Sequence, residues 1–146
     1  MDYTALAIEM LDNMHLLHKA KPQKNINDAL QGEAIALHYI ASHGDEVIPG
    51  DIGNEMNVST ARIAQTLNSI EKKGWITREI DPDDRRRIRV RLTPEGKAFE
   101  EKHSRMIIDM TAEMLAGLGE SDAVEYVRIL GRLAEMASAR VEKPET

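Results

Sequence analysis

The sequence contains no cysteine, which excludes disulfides, thiolate metal sites, cysteine nucleophiles and cysteine-based redox sensing. Aromatic residues make up only 3% of the chain, against eight methionines. Leu, Ile, Ala and Met must therefore fill the core, and at helical spacing they favour a mostly helical protein. No apolar run approaches the ~18 residues that a bilayer span requires. The opening residues, MDYTALAIEMLDN, lack the basic stretch of a secretory signal, so the expected location is the cytoplasm, away from membranes. Phosphate-cradling glycine loops and His-Glu-x-x-His zinc signatures are missing too, and no Ser/His/Asp set stands in a recognisable context. An enzyme is not expected, nor is a cofactor.

What is present suits one compact domain with a real core: 146 residues, 42% of them hydrophobic and 30% charged. A net charge of −6 argues at first against a nucleic-acid partner, because such affinity rests largely on neutralising phosphates. The distribution matters more than the total. From Val58 to Arg91, nine Lys/Arg stand against five Asp/Glu, a local +4, so with −6 in total the remainder carries −10. One basic segment in an acidic protein has the asymmetry of an electrostatic footprint. The competing reading is a solvated basic surface.

Periodicity lays out seven elements. Thr4 to Lys19 reads as a helix with Leu6, Met10, Met14 and Leu17 on one face, broken by Lys21-Pro22-Gln23-Lys24-Asn25. A second helix spans Asp28 to Ser42, with Leu30, Ala34, Leu37 and Ala41 periodic and Gly44 as a stop. Pro49 opens a short helix, Asp51 to Met56, the turn Asn57-Val58-Ser59 follows, and Ser59 caps a helix from Thr60 to Lys73 that Gly74 ends. Trp75–Ile80 and Ile88–Leu92 read as strands around a charged turn, an antiparallel hairpin. A long helix runs from Pro94 to about Ala116, Gly117-Leu118-Gly119 breaks it, and Ser121-Asp122 caps a last helix to about Arg140. Val141 onward reads as a frayed end. The fold class expected is mainly α with a small antiparallel β-hairpin (α+β).

Ile48 to Trp75 has the order of a helix-turn-helix, a short helix, a tight turn and a helix with a full polar face. In that second helix Ile63, Ala64, Leu67 and Ile70 are expected inward. Arg62, Gln65, Thr66, Ser69 and Lys72 are expected outward, where Arg can read guanine and Gln adenine. Ser59, Thr60 and the free amides at the helix start suit phosphate oxygens. An ordinary amphipathic surface helix has the same pattern. The hairpin tip adds Arg85, Arg86 and Arg87, which repel one another and gain nothing for folding, so an external anion is their expected partner. Asp84 is placed to accept from the Arg86 guanidinium and hold it outward, and a narrow minor groove attracts such a group.

Asp84-Arg85-Arg86, then Ile88-Arg89-Val90-Arg91, then Leu92-Thr93-Pro94-Glu95-Gly96 resembles the wing signature of MarR-type regulators. Ile70-Glu71-Lys72-Lys73-Gly74-Trp75-Ile76 is similar to the end of their recognition helix. The resemblance implies a winged helix-turn-helix with a helical dimerisation region in a single domain over residues 1–146. About 1–27 and 97–140 would interdigitate with a second copy, and about 28–96 would form the winged lobe. It implies Arg86 in the minor groove, oriented by Asp84. The long Met/Leu/Val stripes support a homodimer independently, since one chain of this size struggles to cover them. Two-fold symmetry then places the recognition helices roughly 34 Å apart on double-stranded DNA and predicts a pseudo-palindromic operator.

Relatives of this type release DNA when a small aromatic or phenolic anion binds between dimerisation helices and lobe. His15, His18, His38 and Tyr39 are candidates to line such a crevice, though an ordinary core or surface residue is the simpler reading of each. A metal site is not expected. His15 and His18 share a face and His103 lies on another helix, but zinc needs three or four converging ligands, and zinc-responsive relatives cluster histidines where this chain has only His103. Repression is the default mode for a dimer seated on a promoter. The alternatives are a winged helix used only for protein contacts and, behind it, a metal-responsive regulator.

Overall fold

The computed structural model describes residues 1–20 and 24–141, the side chains of residues 24–30 and of residue 45 excepted. Six helices and two strands follow in the order α1 (Tyr3–Lys19), α2 (Lys24–His43), α3 (Pro49–Met56), α4 (Thr60–Lys72), β1 (Ile76–Ile80), β2 (Ile88–Leu92), α5 (Pro94–Leu118) and α6 (Glu120–Val141). A single 3-10 turn, Gly44–Glu46, lies between α2 and α3. The chain divides into two compact units, residues 1–100 and 101–146.

In the first unit the core lies where α2, α3 and α4 meet the hairpin. Ala36, Leu37 and Ile40 from α2, Ile52 from α3, Ile63, Leu67 and Ile70 from α4, Ile76, Val90 and Val47 are all buried. Each large aliphatic among them contributes about 1.5–3 kcal/mol by leaving water. The β1–β2 pairing is antiparallel, Ile76 opposite Leu92 through to Ile80 opposite Ile88, which puts Ile76 and Val90 on the inner face. Val47 bridges to Val90 and extends the hairpin by one short edge, a pairing that periodicity did not anticipate.

Several boundaries and faces differ from expectation. The start of the expected break, Lys21-Pro22-Gln23, lies outside the described residues, but Lys24 and Asn25 already belong to α2, four residues earlier than the Asp28 expected. The buried stripe of α2 is Glu33, Ala36, Leu37 and Ile40, rotated from the one read, so Ala34 is half-buried and Ala41 exposed. Side-chain contact with α3 and α4 selected the richer stripe, and Leu30's side chain lies outside the described set. Ala64, expected inward, is exposed, because Ile63 and Leu67 already fill the contact. The α5 helix passes through Gly117 to Leu118, and Gly119 alone, at φ +83°, makes the break. Ser121 and Asp122 therefore sit inside the first turn of α6, which starts at Glu120. The expected frayed end beyond Val141 lies outside the described residues.

Helix α1 begins as its sequence directs: the Asp2 carboxylate accepts from the amides of Thr4 and Ala5 at 2.9 and 3.2 Å. Its apolar residues remain uncovered, Leu6, Met10, Met14 and Leu17 each about half exposed or more. In the second unit Met110, Met114, Val127, Leu130, Leu133 and Met136 are likewise about half exposed. Among the described residues no helix is long and apolar enough to cross a membrane.

Candidate nucleic-acid interface

The turn between α3 and α4 is set by Asn57, which adopts a left-handed conformation at φ 50°, ψ 48°. Asparagine tolerates that region better than most residues. Its amide bonds back to the Asn54 carbonyl and the Val58 amide to the Gly53 carbonyl, so α3 closes before Ser59. The Ser59 hydroxyl accepts from the Arg62 amide at 3.2 Å and caps α4. Burying Ile63, Leu67 and Ile70 then turns Thr60, Arg62, Gln65 and Lys72 to solvent. Two other candidates are partly spoken for. The Thr66 hydroxyl donates to the Arg62 carbonyl at 3.1 Å, and the Ser69 hydroxyl donates to Glu33 on α2 at 2.5 Å.

At the wing tip, the Asp81 amide donates to the Arg87 carbonyl and the Arg87 amide to the Asp84 carbonyl, each at 2.9 Å. Asp84 Oδ1 accepts from the Arg86 amide at 3.0 Å and from its Nε at 3.4 Å. The Arg86 side chain is nevertheless 92% exposed, a guanidinium braced at its near end and open at its far end. Arg85 and Arg87 flank it, also exposed.

Of the basic residues counted between Val58 and Arg91, several are internally neutralised. Lys73 pairs with Glu33 at 2.6 Å, Arg78 with Glu71 at 2.5 Å, Arg89 with Asp81 at 3.0 Å and Arg91 with Glu79 at 3.7 Å. Among the described residues no carboxylate lies within ion-pairing distance of Arg62, Lys72, Arg85 or Arg87. The charge available to an external anion is thus concentrated on α4 and on the wing tip.

Asp81 and Arg89 form the lock at the wing base. Arg89 donates from Nε and Nη2 to the two Asp81 oxygens at 3.0 and 3.1 Å, and the Asp83 amide adds a bond at 2.9 Å. These partners, the Asp83 amide foremost and then Arg89, hold the Asp81 carboxyl below the usual carboxylate range although burial pushes the other way. The same pairing raises Arg89. A carboxyl with a depressed folded value adds stability above its unfolded value and loses it as pH falls through the folded one. Below about pH 4, therefore, the wild type should lose melting temperature more steeply than Asp81→Asn. Thermal melts between about pH 6 and about pH 2 check this, and parallel acid limbs would show that the lock contributes nothing.

Periodicity missed this lock, and it missed Glu33. The signal for Glu33 was available: it lies four residues before Leu37 and seven before Ile40, an acid on an apolar stripe. The Asp81–Arg89 pair had no comparable mark. The exit from the wing, by contrast, explains its own sequence. The Thr93 hydroxyl donates to the Gly74 carbonyl at 2.5 Å and accepts from the Gly96 amide at 3.0 Å, while the Thr93 amide donates to the Trp75 carbonyl at 3.0 Å. Phe99 stacks on Trp75 with ring centres 3.9 Å apart. Thr93 thus caps α5 and latches it to the end of α4.

The four effector candidates fall into different settings. His15 and His18 are exposed on α1. His38 donates from Nδ1 to the Glu100 carboxylate at 2.8 Å. Tyr39 stacks on His43 at 3.9 Å and packs against the core.

A helix-turn-helix whose second helix feeds a latched, arginine-tipped hairpin defines a winged-helix protein. Residues 25–87 match the model of the MarR family. It is 29% identical over 101 residues to an uncharacterized HTH-type transcriptional regulator, YdgJ of Bacillus subtilis. That match covers 69% of this chain, and the chain spans 60% of the length of that relative. The fold is similar to that of the YusO protein of Bacillus subtilis, with TM-score 0.70 and 21% identity, covering 92% of this chain and 98% of that one. It is also similar to Streptococcus pneumoniae FabT, solved in complex with DNA, with TM-score 0.69 and 21% identity over 94% of this chain and 99% of that one. A probable transcriptional regulator from Pseudomonas aeruginosa matches at TM-score 0.59 and 27% identity, over 70% and 76% of the two chains.

Proposed function

We propose that this chain is a sequence-specific, double-stranded DNA-binding transcription regulator that reads a pseudo-palindromic operator as a homodimer. The recognition helix α4 lies in the major groove, with Arg62 and Gln65 reaching base edges. Ser59, Thr60, Thr66 and Lys72 work at phosphates, and Ser69 stands at the edge of that face. The wing, residues 81–88, enters the minor groove. The observation that carries this reading is the wing tip. Arg86 is 92% exposed, is braced by Asp84, and stands between two arginines without ion partners among the described residues. Such an arrangement adds little to folding and gains from a narrow groove of strong negative potential.

The uncovered apolar residues of α1, α5 and α6 support the homodimer, because apolar faces of that extent mark an interface. Blocking polymerase by occupying a promoter makes repression the mode proposed. Release by a small aromatic or phenolic effector at His15, His18, His38 and Tyr39 rests on the family likeness alone.

The test is selection of bound duplexes from a random pool at stated salt. Enrichment of a palindrome with half-sites about 10 base pairs apart supports the operator, the two-fold dimer and the spacing together. No enriched sequence would move the reading to a winged helix used for protein contacts. Repeating the binding with benzoate present tests effector release.

A further inference from the structure

The recognition helix is tied to its neighbours by polar side chains on two sides, both near its C-terminal end. On one side stands Glu33 of α2, with only 6% of its surface exposed. Its Oε1 accepts from the Ser69 hydroxyl at 2.5 Å and its Oε2 from the Lys73 ammonium at 2.6 Å. Lys73 also lies 4.9 Å from the centre of the Trp75 ring. A nearly buried carboxylate tolerates the loss of neither bond, since an unpaired charge there is costly. Ser69 and Lys73 are one turn apart, so α4 cannot slide or rotate against α2 without breaking one of them.

On the other side stands Arg78 of β1. Its Nε donates to Glu71 at 2.5 Å and its Nη2 to Asn68 at 2.7 Å, again two groups one turn apart on α4. The planar guanidinium fork makes this contact directional, which an ammonium at the same place would not be. The apolar contact through Ile63, Leu67 and Ile70 attracts without direction. It fixes which face of the helix is buried but leaves small rotations inexpensive. Base readout needs side chains placed to within a fraction of an ångström.

We propose that Glu33 and Arg78 are positioning residues that set the rotation of the recognition helix. They thereby govern discrimination between DNA sequences more than affinity for DNA as such. The inference rests on the DNA-reading function proposed above. Neither residue needs to touch DNA: they act through Ser69, Lys73, Asn68 and Glu71, while Arg62 and Gln65 do the reading.

The experiment uses the full chain with Glu33→Gln and with Arg78→Lys, the second of which keeps the charge. Affinity for the selected operator and for a scrambled duplex is measured at one salt concentration. The ratio between them is expected to fall roughly tenfold in each variant, with scrambled-duplex affinity changing less than about threefold. A core control, Leu37→Val, which loosens the lobe without touching either clamp, keeps the wild-type ratio. Wild-type ratios in both clamp variants, or an equal drop in the control, would overturn the proposal. Amide exchange of residues 67–73 without DNA supplies an independent arm, expected to quicken by about tenfold in the variants. Unchanged exchange overturns the clamp itself. Faster exchange in a protein whose wild type prefers no duplex overturns the DNA reading instead.

Discussion

Gly96→Ala is expected to destabilise the winged lobe by about 3 kcal/mol or more, among the larger effects a single methyl group produces. A Cβ at this position would sit 1.9 Å from the Trp75 carbonyl oxygen and 2.7 Å from its carbon. Both obstacles are backbone, and the backbone at Trp75 is already held, since that carbonyl accepts from the Thr93 amide. Relief requires α5 to move off the end of α4, which breaks the Thr93 latch and the Trp75–Phe99 stack together. Denaturant melts check the stability, and Trp75 emission reports the stack directly. Gly117→Ala is the natural control, because nothing lies within 4 Å of the Cβ it would add. If Gly96→Ala melts with the wild type, the close approach of α5 to the recognition helix is not a feature of the protein.

Arg86→Ala is expected to weaken operator binding at least about tenfold and to lower the salt dependence by about two released counterions, one for each protomer's wing. The reasoning is electrostatic. Among the described residues Arg86 is the most exposed of the ion-paired cations, and Asp84 limits the conformations it gives up on entering a groove. Asp84→Asn should be milder, about threefold, because the guanidinium survives and only its bracing is lost. Titration of labelled operator at several salt concentrations gives both numbers. Binding of Arg86→Ala as tight as wild type would remove the wing from the interface and leave α4 to carry recognition alone.

Much of the site was legible along the chain because its parts are local. Asn57, Ser59, Gly74 and Pro94 act within a turn of where they stand, through φ angles, caps and missing amides, whereas Thr93 caps α5 locally but latches it through the distant Gly74 carbonyl. Asp84 and Arg86 are two residues apart, so their bond needs no tertiary contact. Period-two alternation marked Ile88–Leu92 as a strand, but its register, Ile76 opposite Leu92, came from the pairing itself. The helical stripes were harder. Ala64 and Ala41 fit a periodic template but ended exposed, because alanine satisfies either face and only the volume of opposing side chains chooses between them.

The charges show the limit most clearly. Nine basic residues against five acidic ones between Val58 and Arg91 gave a local excess of +4 but not which cations carry it. Folding brings Glu33 to Lys73, Glu71 to Arg78, Asp81 to Arg89 and Glu79 to Arg91, so a smaller set remains for an external anion. Glu33 and Lys73 are 40 residues apart, and no pattern along the chain pairs them.

By itself, then, the sequence determined what the chain is made of and where it turns: no cysteine chemistry, a helical core without many aromatics, a capped α4, and an arginine-tipped hairpin braced by its own aspartate. These follow from interactions spanning a few residues. The tertiary structure decided which of the cations are free, which stripe of α2 is buried and how tightly α5 closes on the end of α4. Those depend on groups brought together from distant positions, where burial and Coulomb attraction act on separation in space and not along the chain.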